Sequence, residues 1–165
     1  MNDYEKFLAN RAQRGSDQGF APVFMPDFLF DFQKQIVEWS VRKGRAAVFA
    51  DCGLGKTPMG LTWESNVNQK TNKPVLYLTP LAVGAQTARE AEKFGIEATH
   101  SRDGRIASGI VITNYERLHY FQPSDFSGVV CDESSILKSF AGSRKKEITN
   151  FMRQVEYRLL QTATA

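Results

Sequence analysis

The chain has 165 residues, a length that predicts one domain with a sizeable buried core. Its 21 Lys and Arg residues exceed its 18 Asp and Glu residues for a net charge of +3, which is compatible with a nucleic-acid partner without requiring one. No apolar run approaches the roughly 20 residues of a membrane span, and two cysteines far from two histidines exclude a disulfide framework and a zinc centre.

The first residues are polar and lack the apolar core of a signal peptide, so we expect a cytoplasmic protein, of a bacterium or of a phage-infected cell. Residues 1–24 are expected to form an N-terminal extension, with a short helix near residues 4–14. Residues 25–165 form the predicted domain.

The first predicted element of that domain is a helix over residues 27–43, because its apolar positions recur at helical spacing. Asp27 is the predicted N-cap and Gly44 the predicted end.

After this helix, short apolar runs alternate with helical stretches. The predicted strands are residues 46–50, 75–79, 110–113, 129–132 and 158–161. The predicted helices between them are residues 55–68, 82–94, 115–120 and 143–155. Continuous apolar strands are typical of a parallel sheet buried on both faces. The pattern therefore predicts an α/β domain, a three-layer αβα sandwich with a mostly parallel sheet.

Residues 50–57, ADCGLGKT, follow a predicted strand and open a predicted helix, the context of a phosphate-binding loop. Glycines let successive N–H groups point at phosphate oxygens, and the helix adds its positive N-terminal end. A lysine supplies charge to the β and γ phosphates, and a following threonine is a ligand for Mg²⁺. We therefore expect ATP and Mg²⁺, with the nucleotide bound by Gly53, Leu54, Gly55, Lys56, Thr57 and Pro58, and the metal by Thr57.

A second motif is the apolar run 128–131, which ends in Asp132 and Glu133. An aspartate at such a strand end holds Mg²⁺, and an adjacent glutamate can orient or deprotonate a water molecule. Alternatively, the two carboxylates cap the next helix. The phosphate loop upstream favours a catalytic role for Lys56, Asp132 and Glu133.

Six segments resemble, in order, the motifs of the first RecA-like lobe of superfamily-two helicases, nearest to Swi/Snf-type translocases and to related phage ATPases of the DEAD/DEAH-box kind. They are residues 29–33, 50–57, 78–81, 112–116, 132–139 and 160–165. The resemblance covers about residues 24–165. It implies a P-loop NTPase fold and a nucleic-acid-dependent ATPase that couples Mg-ATP hydrolysis to movement on DNA or RNA, with DNA favoured.

The same resemblance assigns roles to individual residues. Gln33 would read the adenine ring, although it could also be an exposed polar residue of its helix. The resemblance assigns nucleic-acid contacts to Thr79, Pro80 and Thr113, although ordinary turn residues would give the same sequence pattern. It assigns to Thr162 and Thr164 the coupling between the state of ATP and the binding of the nucleic-acid strand. Three residues depart from the motifs: Ser135, Gln161 and Ala163.

The resemblance also implies a second RecA-like lobe, in the same chain or another, because the motifs end near residue 165. That lobe normally supplies an arginine finger, so a second hypothesis is a nucleotide-binding module with negligible turnover on its own. A third is another P-loop enzyme, such as a small-molecule kinase, which the Asp132-Glu133 pair disfavours.

Overall fold

A six-stranded, all-parallel sheet with helices on both faces forms the domain. The computed structural model describes residues 2–3, 17–50, 55–107 and 109–163. Three predicted site residues, Gly53, Leu54 and Thr164, and the predicted helix near residues 4–14 lie outside the described residues. The strands are β1 Arg45–Phe49, β2 Val75–Thr79, β3 Ala98–His100, β4 Ile110–Asn114, β5 Gly128–Cys131 and β6 Tyr157–Thr162. The helices are α1 Asp31–Lys43, α2 Lys56–Thr71, α3 Gly84–Lys93 and α4 Gly142–Arg153, with 3-10 helices at Tyr115–Tyr120, Pro123–Asp125 and Ser134–Ser139.

The strand order is β1-β6-β5-β2-β4-β3, which places β2 and β5 at the centre of the sheet. Val75 of β2 is in register with Ile110 of β4 and with Gly128 of β5. All strands run the same way, so their carboxyl ends, and the loops that follow them, meet at one edge of the sheet.

Alternate residues of the central strands supply two separate apolar cores, one on each face of the sheet. Tyr77 and Val130 pack in the core beneath α1, α2 and α3. Leu78 and Val129 pack in the opposite core, together with residues of α4 and of the 3-10 helices. This two-sided burial is why the strands are continuous apolar runs, and it confirms the predicted three-layer αβα architecture.

Helix α1 begins four residues later than the sequence predicted. The residue before it is Phe30, whose backbone N–H donates to the side-chain Oε1 of Gln33 at 2.9 Å. The prediction of Asp27 as N-cap is therefore wrong. The predicted end is confirmed, because Gly44 adopts a left-handed φ of 71° and its N–H donates to the Ser40 carbonyl at 3.1 Å.

Strand β1 lies at the edge of the sheet, with only β6 beside it among the described strands. Val48 is buried, but Phe49 is 65% exposed and Ala47 also faces solvent. A groove of about 460 Å³ runs beside them and is lined in part by Met152 and Leu160. One face of β1 is therefore more exposed to solvent than the central strands of the sheet are.

Every helix in the described ranges is too short or too polar to cross a membrane.

Candidate active site

The turn into α2 requires a glycine. Gly55 precedes the helix with φ 80° and ψ 44°, a left-handed conformation that favours glycine. A Cβ at this position would also collide with the Nε2 of Gln33. Lys56 and Thr57 are consequently the first residues of α2, and Pro58 lies in its first turn, as predicted.

Lys56 forms an ion pair with Glu133 across the strand ends. Its Nζ lies 2.9 Å from Oε2 of the glutamate. The other carboxylate oxygen, Oε1, accepts hydrogen bonds from the hydroxyls of Ser135 at 3.1 Å and Thr162 at 3.0 Å. The hydrogen bond from Lys56 holds the pKa of Glu133 below its usual value, and those from Thr162 and Ser135 act in the same direction. Glu133 is thus an ionised carboxylate at neutral pH that joins the ends of β1, β5 and β6.

The backbone at Glu133 is also unusual. Its φ of 51° is left-handed, and Asn72 is the sole other non-glycine residue with positive φ in the described part of the chain. Such backbone strain is found most often where function needs a side chain in a fixed direction. Ser135, which departs from the family motif, here contacts the carboxylate that the motif supplies.

Asp132 occupies a different environment from its neighbour. It is 7% exposed, and its Oδ1 accepts a hydrogen bond from the Glu133 backbone N–H at 2.9 Å. Burial raises the pKa of Asp132 to about 6, against the attraction of Lys56, which lowers it. The Tyr115 hydroxyl donates to the Asp132 carbonyl at 2.6 Å, which fixes the backbone from which the carboxyl projects.

A buried polar group lies beneath the first turn of α2, and the sequence did not predict it. Gln161 is fully buried; its Nε2 donates to the Lys56 carbonyl at 2.9 Å, and its Oε1 accepts from the Tyr77 hydroxyl at 3.3 Å. Burial raises the pKa of Tyr77 well above its usual value, the charge of Asp132 adds to this rise, and a hydrogen bond with the Thr57 side chain opposes it. The signal that could have found this group is a glutamine inside the apolar run of β6.

The Thr57 hydroxyl and the Asp132 carboxylate are the protein groups here that suit Mg²⁺. Both act on the pKa of the Tyr77 hydroxyl, which the Thr57 side chain lowers and the charge of Asp132 raises. Asp132 is a buried carboxylate, and its pKa is raised by that burial. The described residues contain no cluster of three or more Asp, Glu, His or Cys side chains. Magnesium in phosphate-transfer sites takes only one or two protein carboxylates, together with phosphate oxygens and water, so this donor set fits.

Gln33 lies against the start of α2. It is 5% exposed, next to Gly55, with its Oε1 on the Phe30 backbone. The structure therefore brings Gln33 to the phosphate-loop side of the sheet edge, together with Lys56, Thr57 and Pro58. Its contact with adenine stays a prediction.

The predicted nucleic-acid residues lie at the ends of β2 and β4, away from the acidic pair. Thr79 is fully buried, and its hydroxyl donates to the Pro80 carbonyl at 3.1 Å. Thr113 is also fully buried, and its hydroxyl donates to the Ser101 carbonyl at 2.9 Å. Pro80 is partly exposed, and Leu81 beside it is 65% exposed. In this conformation the two hydroxyls hold backbone loops, and direct contact with a ligand is open to residues 80–81.

Comparison with known proteins gives similarity in structure alone. No family model matches the sequence, and no curated protein matches it. The UvsW helicase of bacteriophage T4 superposes with a TM-score of 0.73 at 11% identity, over 98% of this chain and 69% of the helicase. The SWI2/SNF2 ATPase core of Sulfolobus solfataricus superposes with TM-scores of 0.68 in complex with dsDNA and 0.67 in a second structure, both at 22% identity and over 88% and 87% of this chain.

These superpositions show that the domain has the RecA-like αβα fold found in helicase ATPases. The chain spans about a third of the Sulfolobus cores, 34% and 32% of their lengths.

Proposed function

We propose that this chain is the ATP-binding lobe of a nucleic-acid-dependent ATPase of superfamily-two type, which couples Mg-ATP hydrolysis to movement on DNA. The observation that carries the proposal is the convergence of Lys56, Asp132, Glu133 and Thr162 at one edge of the sheet. The start of α2 and the ends of β5 and β6 supply these groups, and a salt bridge and a hydrogen bond join three of them through the Glu133 carboxylate. The helicase-like fold supports the same reading.

Each residue has a role in this proposal. Lys56 exchanges the Glu133 carboxylate for the β and γ phosphates when nucleotide enters, and the residue 53–58 turn surrounds those phosphates. Thr57 and Asp132 hold Mg²⁺, which when bound offsets the charge of the phosphates. Glu133, released from Lys56, orients the attacking water and accepts its proton. Gln33 binds the adenine ring through its amide.

DNA is the proposed track, and the observed complex of the Sulfolobus SWI2/SNF2 core with dsDNA favours it over RNA. We assign the contact to Pro80 and Leu81 in the loop after β2, where phosphates could be met without reading sequence, and a backbone-fixing role at this edge to the buried Thr79 and Thr113 hydroxyls. Thr162 and Thr164 would couple this surface to the nucleotide, since Thr162 already contacts Glu133. We place the protein in the cytoplasm of a bacterium or of a phage-infected cell, in line with its similarity to a phage helicase.

A second candidate is a nucleotide-binding module with negligible turnover by itself. Residues 1–165 correspond to about a third of the Sulfolobus cores, 34% and 32% of their lengths. An arginine finger from a second RecA-like lobe can accelerate phosphoryl transfer by about 10³–10⁵-fold. We therefore expect near-background hydrolysis by residues 1–165 alone, and nucleic-acid-stimulated hydrolysis when a second lobe is present.

The experiment is a titration with a fluorescent ADP or ATP analogue, with and without Mg²⁺. We expect Lys56→Ala to lose nearly all affinity, while the matched control Lys73→Ala, an exposed lysine beyond the end of α2, binds as the unmodified protein does. Equal affinity in the two variants would overturn the nucleotide site. Absence of stimulation by any DNA or RNA in the longest natural form would overturn the motor and leave the binding module.

A further inference from the structure

We propose that Gln161 is a positioning residue of the nucleotide site, which anchors the first turn of α2 to the sheet and so fixes the direction of Lys56 and Thr57. This inference rests on the proposed function and adds to it a residue of β6 that departs from the resembled motif. The residue touches neither phosphate nor metal; it acts through the backbone of Lys56.

The bonds of Gln161 are buried and connect three elements. Its amide bridges the Lys56 carbonyl of α2, at 2.9 Å, and the Tyr77 hydroxyl of β2, at 3.3 Å. The glutamine is itself fully buried. A buried polar group stabilises a structure only when its partners are all present, so the amide specifies the position of that carbonyl.

The orientation of the amide follows from its partners. A carbonyl only accepts hydrogen bonds, so the Gln161 nitrogen faces Lys56 and the oxygen faces Tyr77. The proton of the Tyr77 hydroxyl is then used on Gln161. Thr57 follows Lys56 in the same turn of α2, so anchoring the Lys56 carbonyl also limits the direction of this proposed metal ligand.

The absence of a side chain at Gly60 makes room for the hydrogen bond between Gln161 and Tyr77. A Cβ at Gly60 would lie 2.6 Å from Oε1 of Gln161 and 2.9 Å from the Tyr77 hydroxyl. The close approach of α2 to the sheet therefore depends on a glycine one turn beyond Lys56. Tyr77 and Gln161 therefore pack closely against the end of α2 that carries the proposed ligands.

Strand β6 contacts both halves of the site through consecutive residues. Gln161 reaches α2, while the Thr162 hydroxyl donates to Glu133 at 3.0 Å. Neighbouring residues of a strand point in opposite directions, and these two reach the start of α2 and the Glu133 carboxylate from one strand end. A shift of β6 would move both together.

The test compares Gln161→Met, which keeps the length of the side chain and removes both hydrogen bonds, with Tyr77→Phe, which removes only one. The matched control is Val67→Ala, a buried change in the same helix that is 11 residues, or roughly 16 Å, beyond Lys56. Backbone amide exchange is measured without nucleotide, and the affinity for ADP is measured with Mg²⁺ and with a chelator.

We expect Gln161→Met to raise exchange at Met59 and Gly60 about tenfold relative to the last turn of α2, as the loss of one net hydrogen bond implies. The affinity for Mg-ADP should fall by about tenfold, and the affinity without Mg²⁺ should fall less, because Thr57 loses its fixed direction. Tyr77→Phe should lie between Gln161→Met and the unmodified protein. Val67→Ala should change neither exchange at Met59 and Gly60 nor the effect of Mg²⁺.

Two results would overturn the inference. Exchange in the first turn that matches the unmodified protein would show that Gln161 does not anchor it. Equal losses of affinity with and without Mg²⁺ would show a general effect on the fold. If Lys56→Ala leaves nucleotide affinity intact, the proposed function fails and the positioning role with it; if Lys56→Ala abolishes binding and Gln161→Met does not weaken it, the positioning role alone fails.

Discussion

The two halves of the sheet edge that carries the proposed site hold their polar side chains in different ways. At the ends of β5 and β6, the Glu133 carboxylate is bound by other side chains, those of Lys56, Ser135 and Thr162. At the ends of β2 and β4, the Thr79 and Thr113 hydroxyls donate to backbone carbonyls and are fully buried.

This difference separates groups that can exchange partners from groups that fix the backbone. A side chain whose partner is another side chain can rotate away from that partner and bind a ligand. A buried hydroxyl on a carbonyl cannot leave without stranding that carbonyl. We therefore expect the chemistry at the ends of β5 and β6, and we expect the polar groups at the ends of β2 and β4 to fix the backbone. The following predictions test that division.

The largest expected effect is at Glu133. Glu133→Gln should lower nucleic-acid-stimulated ATP hydrolysis by about 10²–10⁴-fold, because the amide cannot accept a proton. Nucleotide affinity should stay the same or rise, because Lys56 no longer has to break an ion pair before it binds phosphate. The measurement is steady-state hydrolysis and nucleotide titration on the longest natural form, with Glu147→Gln on the exposed side of α4 as control. Undiminished hydrolysis would assign the proton transfer elsewhere.

A smaller effect distinguishes two threonines. Thr113→Val should lower the free energy of unfolding by about 1–3 kcal/mol, because it leaves the Ser101 carbonyl without its donor in a buried site. Thr162→Val should cost less, under about 1 kcal/mol, since Glu133 keeps Lys56 and Ser135. Urea unfolding of both variants measures the difference. The division fails if Thr162→Val proves the more destabilising.

A pH-dependent effect concerns the core beneath α2. Glu64 of α2 is fully buried, and burial raises its pKa well above 4.5, against a smaller lowering by the Val130 backbone. Below pH 4.5 both folded and unfolded states hold the proton; above it the unfolded state loses the proton first, so stability falls as pH rises towards the folded pKa.

Glu64→Gln should remove that decline, which is at most about 1.4 kcal/mol per pH unit. Thermal unfolding from pH 4 to pH 8, compared with the unmodified protein, measures it. Parallel pH profiles for the two proteins would show that Glu64 is not the titrating group.

Local pattern predicted the fold well because the buried strands are determined by their own residues. All five predicted strands are present within two residues of their predicted bounds, and Val75–Thr79 agrees at both ends. Strand β3 was missed, because Ala98–His100 has no apolar run and becomes a strand only by pairing with β4. The start of α1 was misplaced, because a glutamine three residues into the helix, and not Asp27, binds the backbone at its N-terminus.

The candidate site was predictable in its residue types and not in its connections. Phosphate-loop and acidic motifs depend on short spacing, which the sequence shows directly. The contacts of Gln161 join residues 105 and 84 positions apart, and the burial of Thr79 and Thr113 depends on neighbouring strands. Such contacts arise from tertiary packing and leave only indirect traces in the chain, such as a polar residue inside an apolar run.

The open edge at β1 has a consequence for the behaviour of this domain in solution. Among the described strands β1 is an edge strand, and with Phe49 65% exposed it can serve as a template for another strand. Because β1 lies directly before the proposed phosphate-binding residues, self-association through this edge would make nucleotide affinity vary with protein concentration. Dilution, or a lysine substitution at Ala47 on the exposed face, would relieve that coupling.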